Sequence, residues 1–194
     1  MSSKSDKSKV SVWCLASISA VPLIMTLGNS MLIPVLPILE KKVSISSFQS
    51  SLIITSYSVA SILLIPIAGY LSDRFGRKMI LLPSLAITFI GGLISGFASW
   101  KMGNPYMTII IGRIIQGIGS AGAFPIILPL VGDLYKDDDD ASACLGIVET
   151  SNTFGKVLSP ILGAALALWI WYIPFFSISF FSLISFLMVL FFIK

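Results

Sequence analysis

Histidine is absent from this chain, and charge of either sign is scarce. Without imidazole there is no histidine general base and no histidine metal ligand. Charged residues make up 11% of the sequence, against about 25% in a soluble domain, which excludes an ordinary water-soluble fold. The two cysteines, Cys14 and Cys144, fall within or at the ends of apolar runs. That placement suits packing better than a disulfide or a metal pair. No nucleophile elbow and no paired catalytic carboxylates occur, so an enzyme is not expected. A net charge of +4 does not argue for nucleic acid, because the basic residues gather on one side of a membrane, as shown below.

What remains is apolar. Hydrophobic residues are 56% of the chain and the mean hydropathy is +0.96, which marks an integral membrane protein. Its 194 residues accommodate about six spans of roughly 20 residues. Six apolar segments can be drawn, at 10–33, 48–71, 79–99, 106–131, 142–168 and 174–193. Only helices and closed barrels satisfy their backbones in lipid, and these runs are too long for barrel strands. The expected fold is therefore all-α, a six-helix bundle over 10–194 preceded by a short cytoplasmic tail over 1–9. Lys4, Lys7, Lys9, Arg74, Arg77, Lys78, Lys136 and Lys194 fall on one membrane side, and Lys41, Lys42 and Lys101 on the other. Basic residues concentrate on the cytoplasmic side, which places both termini inside. Trp100, Tyr106, Trp169, Trp171 and Tyr172 then gather at the outer interface, where aromatic belts form. The run Lys136 to Asp140 reads as a solvated cytoplasmic link.

Three motifs stand out. Gly69-Tyr70-Leu71-Ser72-Asp73-Arg74-Phe75-Gly76-Arg77-Lys78 packs charges and glycines into a short link between two apolar runs. A positive-inside loop needs only Arg and Lys, not Gly69, Asp73 and Gly76 at fixed spacing. The segment resembles the link between the second and third helices of major facilitator superfamily transporters, G-x-L-(S/A)-D-R-x-G-R-(R/K), at every signature position. The resemblance implies a cytoplasmic gate built from Gly69, Asp73, Arg74, Gly76 and Arg77, with Asp133 pairing with Arg77 or Arg74. It also implies that Asp73 faces a helix N-terminus in a second half of the protein.

The second motif is Arg113-Ile114-Ile115-Gln116-Gly117-Ile118-Gly119. A bare Arg within a span costs about 2.5–3.5 kcal/mol on insertion scales. It must face the bundle interior with a partner, or snorkel to the outer surface. Gln116, three residues on, shares its face. The pattern resembles the superfamily's fourth-helix motif, whose Arg is associated with proton coupling. The third motif is Gly146-x8-Gly155-x3-Ser159-Pro160-x2-Gly163. It resembles the antiporter motif of drug:proton antiporters, with Ser159 where that family has Gly. Gly155, Ser159 and Gly163 form a small-residue stripe suited to a close helix neighbour, and Pro160 is expected to bend the helix.

Glu149, Asn152 and Lys156 fall at i, i+3 and i+7, on one helix face. Glu149 and Lys156 are separated by about 10.5 Å along the axis, too far for a direct ion pair, although Asn152 can bridge. Glu149 is either the proton-carrying group of this bundle or half of a structural ion pair. Asn29, a hydrogen-bonding group within the first span, is a candidate substrate contact. Pro34 and Pro37 are expected to end that helix.

Together the motifs imply the N-terminal half of a twelve-span drug:proton antiporter. The expected cargo is an amphipathic small molecule, cationic ones included, moved outward against proton entry. Glu149 carries the proton, Arg113 tunes it, and Asn29, Gln116 and Asn152 line the cavity. The expected partners are the lipid bilayer, the solute, protons and a second six-helix half, supplied by another chain or a second copy. No organic cofactor or metal is implied. The alternatives are uptake of a sugar or organic acid on the same fold, a non-transporting interaction subunit, or a truncated fragment.

Overall fold

A computed structural model describes residues 12–193. The expected tail, 1–9, and Lys194 lie outside them. The described chain folds into α1 (Val12–Ser30), a 3-10 turn (Ile33–Val35), α2 (Leu36–Val43), α3 (Ser47–Phe75), α4 (Arg77–Lys101), α5 (Tyr106–Ala123), α6 (Ile127–Leu134), α7 (Asp138–Trp169) and α8 (Ile173–Phe192). Among the described residues there is no strand. The first apolar run thus becomes α1 and the start of the turn, with α2 lying beyond it, and the fourth becomes α5 and α6.

Local chemistry sets the boundaries. α1 ends at Ser30, just ahead of Pro34 and Pro37 as expected, but the chain does not stop being helical there. The two prolines occupy the first turns of the 3-10 segment and of α2, where a missing N–H costs nothing. Ser46 and Gln49 form a reciprocal capping box that starts α3. One residue, Gly76, links α3 to α4 at φ +101°, a left-handed conformation that favours glycine. Pro125 falls in the break between α5 and α6; its missing N–H interrupts the ladder. The acidic run is not a free link. Asp137 caps α7, its Oδ1 accepting from the Asp139 N–H at 3.1 Å, and Asp138 to Asp140 form the first turn, where the helix dipole favours negative charge. At the same end of the bundle Lys78 Nζ donates to the carbonyls of Leu190 (3.1 Å) and Ile193. Pro160 lies within α7, which continues through it to Trp169.

The helices pack in an arc. α3 lies against α5, α5 against α4, α4 against α8, α8 against α1, and α1 against α7. Exchanging the first three spans for the last three maps this order onto itself, the signature of two inverted three-helix repeats. α3 and α7 close the two ends of the arc and are the least covered. Val59, Ile62, Leu63 and Ile67 on α3, and Phe154, Val157 and Ile161 on α7, are exposed.

Two apolar clusters fill the bundle. One gathers Ile18, Val21, Leu81, Leu85, Val131 and Val189 toward the Gly76 end. The other gathers Leu32, Ile53, Ala98, Ile109, Phe175 and Ile178 toward the opposite end. Along their own helices, Asn29, Thr88, Arg113, Gln116 and Ser182 all fall between the two clusters. The fold therefore carries a polar layer at mid-depth. Five segments are long and apolar enough to cross a membrane: Val12–Val43, Ser47–Phe75, Arg77–Lys101, Tyr106–Leu134 and Ile173–Phe192. α7 is the sixth member of the bundle and a more polar one, because it bears Glu149, Asn152 and Lys156.

Candidate functional site

Arg113 anchors the polar layer. It does not snorkel: the residue is 1% exposed. Its Nε donates to the Ile53 carbonyl (3.2 Å), one terminal nitrogen to Gln116 Oε1 (2.7 Å) and the other to Asn29 Oδ1 (2.6 Å). The guanidinium carbon lies 4.4 Å from the ring centroid of Tyr57. Arg113 is thus held by α1, α3 and its own helix α5, with three neutral oxygens and a π face. The planar fork of Arg matches several acceptors at once, and a buried charge is tolerable only when so bonded.

Asn29 and Tyr57 also line an open cleft of about 410 Å3 between α1, α3, the end of α5 with the break after it, and α7. Thr26, Ser58, Ser61, Ser120, Asn152 and Lys156 contribute to the same wall. The Tyr57 hydroxyl donates to Ser120 Oγ at 2.5 Å. Thr26 Oγ1 donates to Asn152 Oδ1, and Asn152 Nδ2 donates to Glu149 Oε1 at 3.1 Å. The structure therefore brings Asn29 and Asn152 to the cleft, places Arg113 and Gln116 behind its wall, and joins Glu149 to it through Asn152. Glu149 itself is exposed on α7 rather than buried. No ion pair joins it to Lys156 among the described residues.

The small-residue stripe faces α1. A methyl group on Gly155 would lie 2.9 Å from the Leu23 carbonyl oxygen, and one on Gly163 would lie 2.9 Å from Met31 Cγ and closer still to the Met31 carbonyl oxygen. Between them, Ser159 is buried and donates to the Leu27 carbonyl at 2.7 Å. The departure from Gly thus supplies a bond rather than a clash. Gly146 has nothing within 4 Å, and neither has Gly69.

At the Gly76 end, Arg77 Nε donates to Asp133 Oδ2 at 2.9 Å. Its terminal nitrogen reaches Asp73 and Ser72. Asp133 pairs with Arg77 and not with Arg74, which lies over the Phe75 ring at 5.7 Å. Tyr57, Thr26 and Ser120 were not anticipated as site residues. Thr26 was findable, since it sits one turn before Asn29 on the same helix face.

Comparison with known proteins adds the following. The sequence profile of the Major Facilitator Superfamily matches residues 18–194. The chain is 65% identical over 162 residues to the bacillibactin exporter of Bacillus subtilis (strain 168), covering 83% of this chain and 40% of that protein. It is 38% identical over 118 residues to a triacylglyceride transporter of Mycolicibacterium smegmatis, covering 61% of this chain and 20% of the other. In structure it is similar to the inward-open xylose transporter from E. coli, with a TM-score of 0.79 over 91% of this chain and 46% of that one. At 18% identity that likeness is one of fold alone. The chain spans less than half the length of each of these relatives.

Proposed function

The chain belongs to the major facilitator superfamily, a family of multi-pass membrane transporters rather than enzymes, and on that premise we propose that it forms the first six-helix half of a transporter exporting a small solute in exchange for protons. The observation that carries the reading is Arg113, a fully buried cation wired through Asn29 and Tyr57 to the wall of an open mid-depth cleft. A polar layer of this kind has no role in a merely lipid-embedded scaffold, whose interior can be wholly apolar. Export, rather than uptake, is supported by the name of the relative at 65% identity, and bacillibactin is the first solute to test.

In this reading a second six-helix half closes the cleft, and the bare faces of α3 and α7 receive it. Rocking of the halves alternates access. Glu149 takes up and releases the proton, and its bond to Asn152 reports its charge to the cleft. Arg77, Asp73 and Asp133 form the gate at the cytoplasmic end, with both termini inside. Uptake of a sugar gains nothing from a likeness of fold alone.

The test uses everted membrane vesicles bearing the chain, loaded with bacillibactin outside and acidified inside. Proton-dependent accumulation that Glu149→Gln abolishes is the expected result. Accumulation indifferent to the gradient removes proton coupling; none by the folded, inserted chain alone means that it waits on its second half, and none when it is co-expressed with the remaining segment of the 65% identical relative removes the export reading.

A further inference from the structure

We propose that the cleft recognises the acidic group of an anionic solute and that Lys156 is its counter-charge, an inference that rests on the transport reading above and specifies its cargo. The sign is opposite to that of a cationic drug.

Among the described residues lining the cleft, Lys156 alone carries a full charge. It is exposed, and among the described residues no hydrogen bond or ion pair engages it. Its position is deep. Along α7 it lies about 27 Å from Asp138 and about 20 Å from Trp169 at 1.5 Å per residue, so neither helix end is within reach of the ammonium. A lysine at such depth is costly in lipid and is characteristically found facing a wet cavity or a partner. The neighbouring wall offers neutral hydroxyls and amides: Thr26, Ser58, Ser61, Ser120 and Asn152.

A second positive charge stands behind the wall. Arg113 is bonded only to neutral oxygens, so no carboxylate cancels its field. Two of the groups it touches, Asn29 and Tyr57, form part of the cleft surface. The one carboxylate bonded to a lining residue is Glu149, through Asn152. It lies about 10.5 Å along the axis from Lys156 and does not line the cleft. Two cations and one more distant anion leave a cleft of net positive potential. In a partly desolvated site, charges at contact distance interact several-fold more strongly than in water. An anionic group therefore gains where a cationic one is repelled, and the hydroxyls supply hydrogen bonds to its oxygens.

The experiment uses one fluorophore with three charges: dansylglycine, dansylglycinamide and dansylcadaverine. Each is titrated into the purified chain in nanodiscs, with folding checked by size exclusion and circular dichroism. Dansylglycine is expected to bind at least about tenfold more tightly than the neutral amide, about 1.4 kcal/mol, and dansylcadaverine most weakly. Lys156→Gln is expected to erase the preference, Lys156→Arg to keep it and Lys156→Glu to reverse it. Equal affinities, no binding by dansylglycine, or a preference that survives Lys156→Gln overturns the proposal. Bacillibactin transport is scored separately on the same chain. Lys156-dependent binding without transport by the chain co-expressed with a complementary second half leaves the inference standing and refutes export; transport with charge-blind binding does the reverse.

Discussion

Alanine at Gly155 or Gly163 should loosen the grip of α7 on α1. A new Cβ at Gly155 would meet the Leu23 carbonyl oxygen at 2.9 Å. Ordinary contact needs roughly 0.5 Å more, and the obstacle is backbone, which cannot rotate away. At Gly163 the Met31 carbonyl is nearer still, with Met31 Cγ at 2.9 Å and the carbonyl carbon at 3.0 Å. Overpacking of this kind costs about 1–3 kcal/mol. For a chain of this length each kcal/mol lowers the melting temperature by about 2–4 °C, so each variant should melt about 2–12 °C below wild type. Gly146 belongs to the same motif and predicts the opposite sign. Nothing lies within 4 Å of it, and alanine in a helix interior is favoured over glycine by about 0.5–1 kcal/mol. Ser159→Ala should cost little, about 0.6 kcal/mol for one interhelical bond in a membrane. The assay is thermal unfolding of the purified chain in detergent, followed by fluorescence-detected size exclusion. If Gly155→Ala and Gly163→Ala melt with wild type, or Gly146→Ala falls as far as they do, the close α1–α7 contact is wrong.

Substitutions at three further positions probe the polar layer and the gate. Arg113→Lys keeps the charge but loses the fork that serves Ile53, Gln116 and Asn29; transport should fall more than about tenfold while the protein still folds, and full activity would show that charge alone suffices. Tyr57→Phe removes only the bond to Ser120, worth about 1 kcal/mol, whereas Tyr57→Leu also removes the ring beneath the guanidinium, worth about 2 kcal/mol more when desolvated; equal melting of the two would dismiss the ring contact. Arg77→Gln should cost less than about 1 kcal/mol in stability, because its partners Asp73 and Asp133 are 65% and 57% exposed and water screens such pairs. A larger loss in thermal unfolding would mean the gate charges are structural.

Hydropathy drew all six members of the bundle, five of them long and apolar enough to cross a membrane, with α7 the more polar sixth. It could not see the break after Ala123, since an apolar run reads the same whether or not Pro125 interrupts it. It also missed that 137–140, solvent-exposed as expected, start a helix, whose N-terminus accepts the same acids. Within the site, Asn29, Arg113 and Gln116 were legible because polar groups in lipid need one another. Tyr57 was not, because an aromatic in an apolar run reads as lipid-facing until a cation is found on its ring. The exposure of Glu149 was equally hidden. Helical spacing puts it on the face of Asn152 and Lys156, but only the arc of helices decides whether that face is covered.

The same arc explains why the polar layer holds together without a carboxylate at its centre. The stripe of Gly155, Ser159 and Gly163 fastens α7 to α1, and the Thr26–Asn152 bond ties the two helices again at the cleft. Glu149, Asn152 and Thr26 are therefore linked by hydrogen bonds across that pair, and Thr26 stands one turn from Asn29, which accepts from Arg113. Arg113 in turn joins α1 to α5 and α3. Each three-span repeat thus contributes to a series that begins at an exposed carboxylate and ends at a buried guanidinium, its two bonded parts separated by one turn of α1. Lys156 faces the space between. Neutral acceptors around Arg113 keep its charge unspent, and that makes the potential of the cleft depend on what enters it rather than on a fixed internal ion pair.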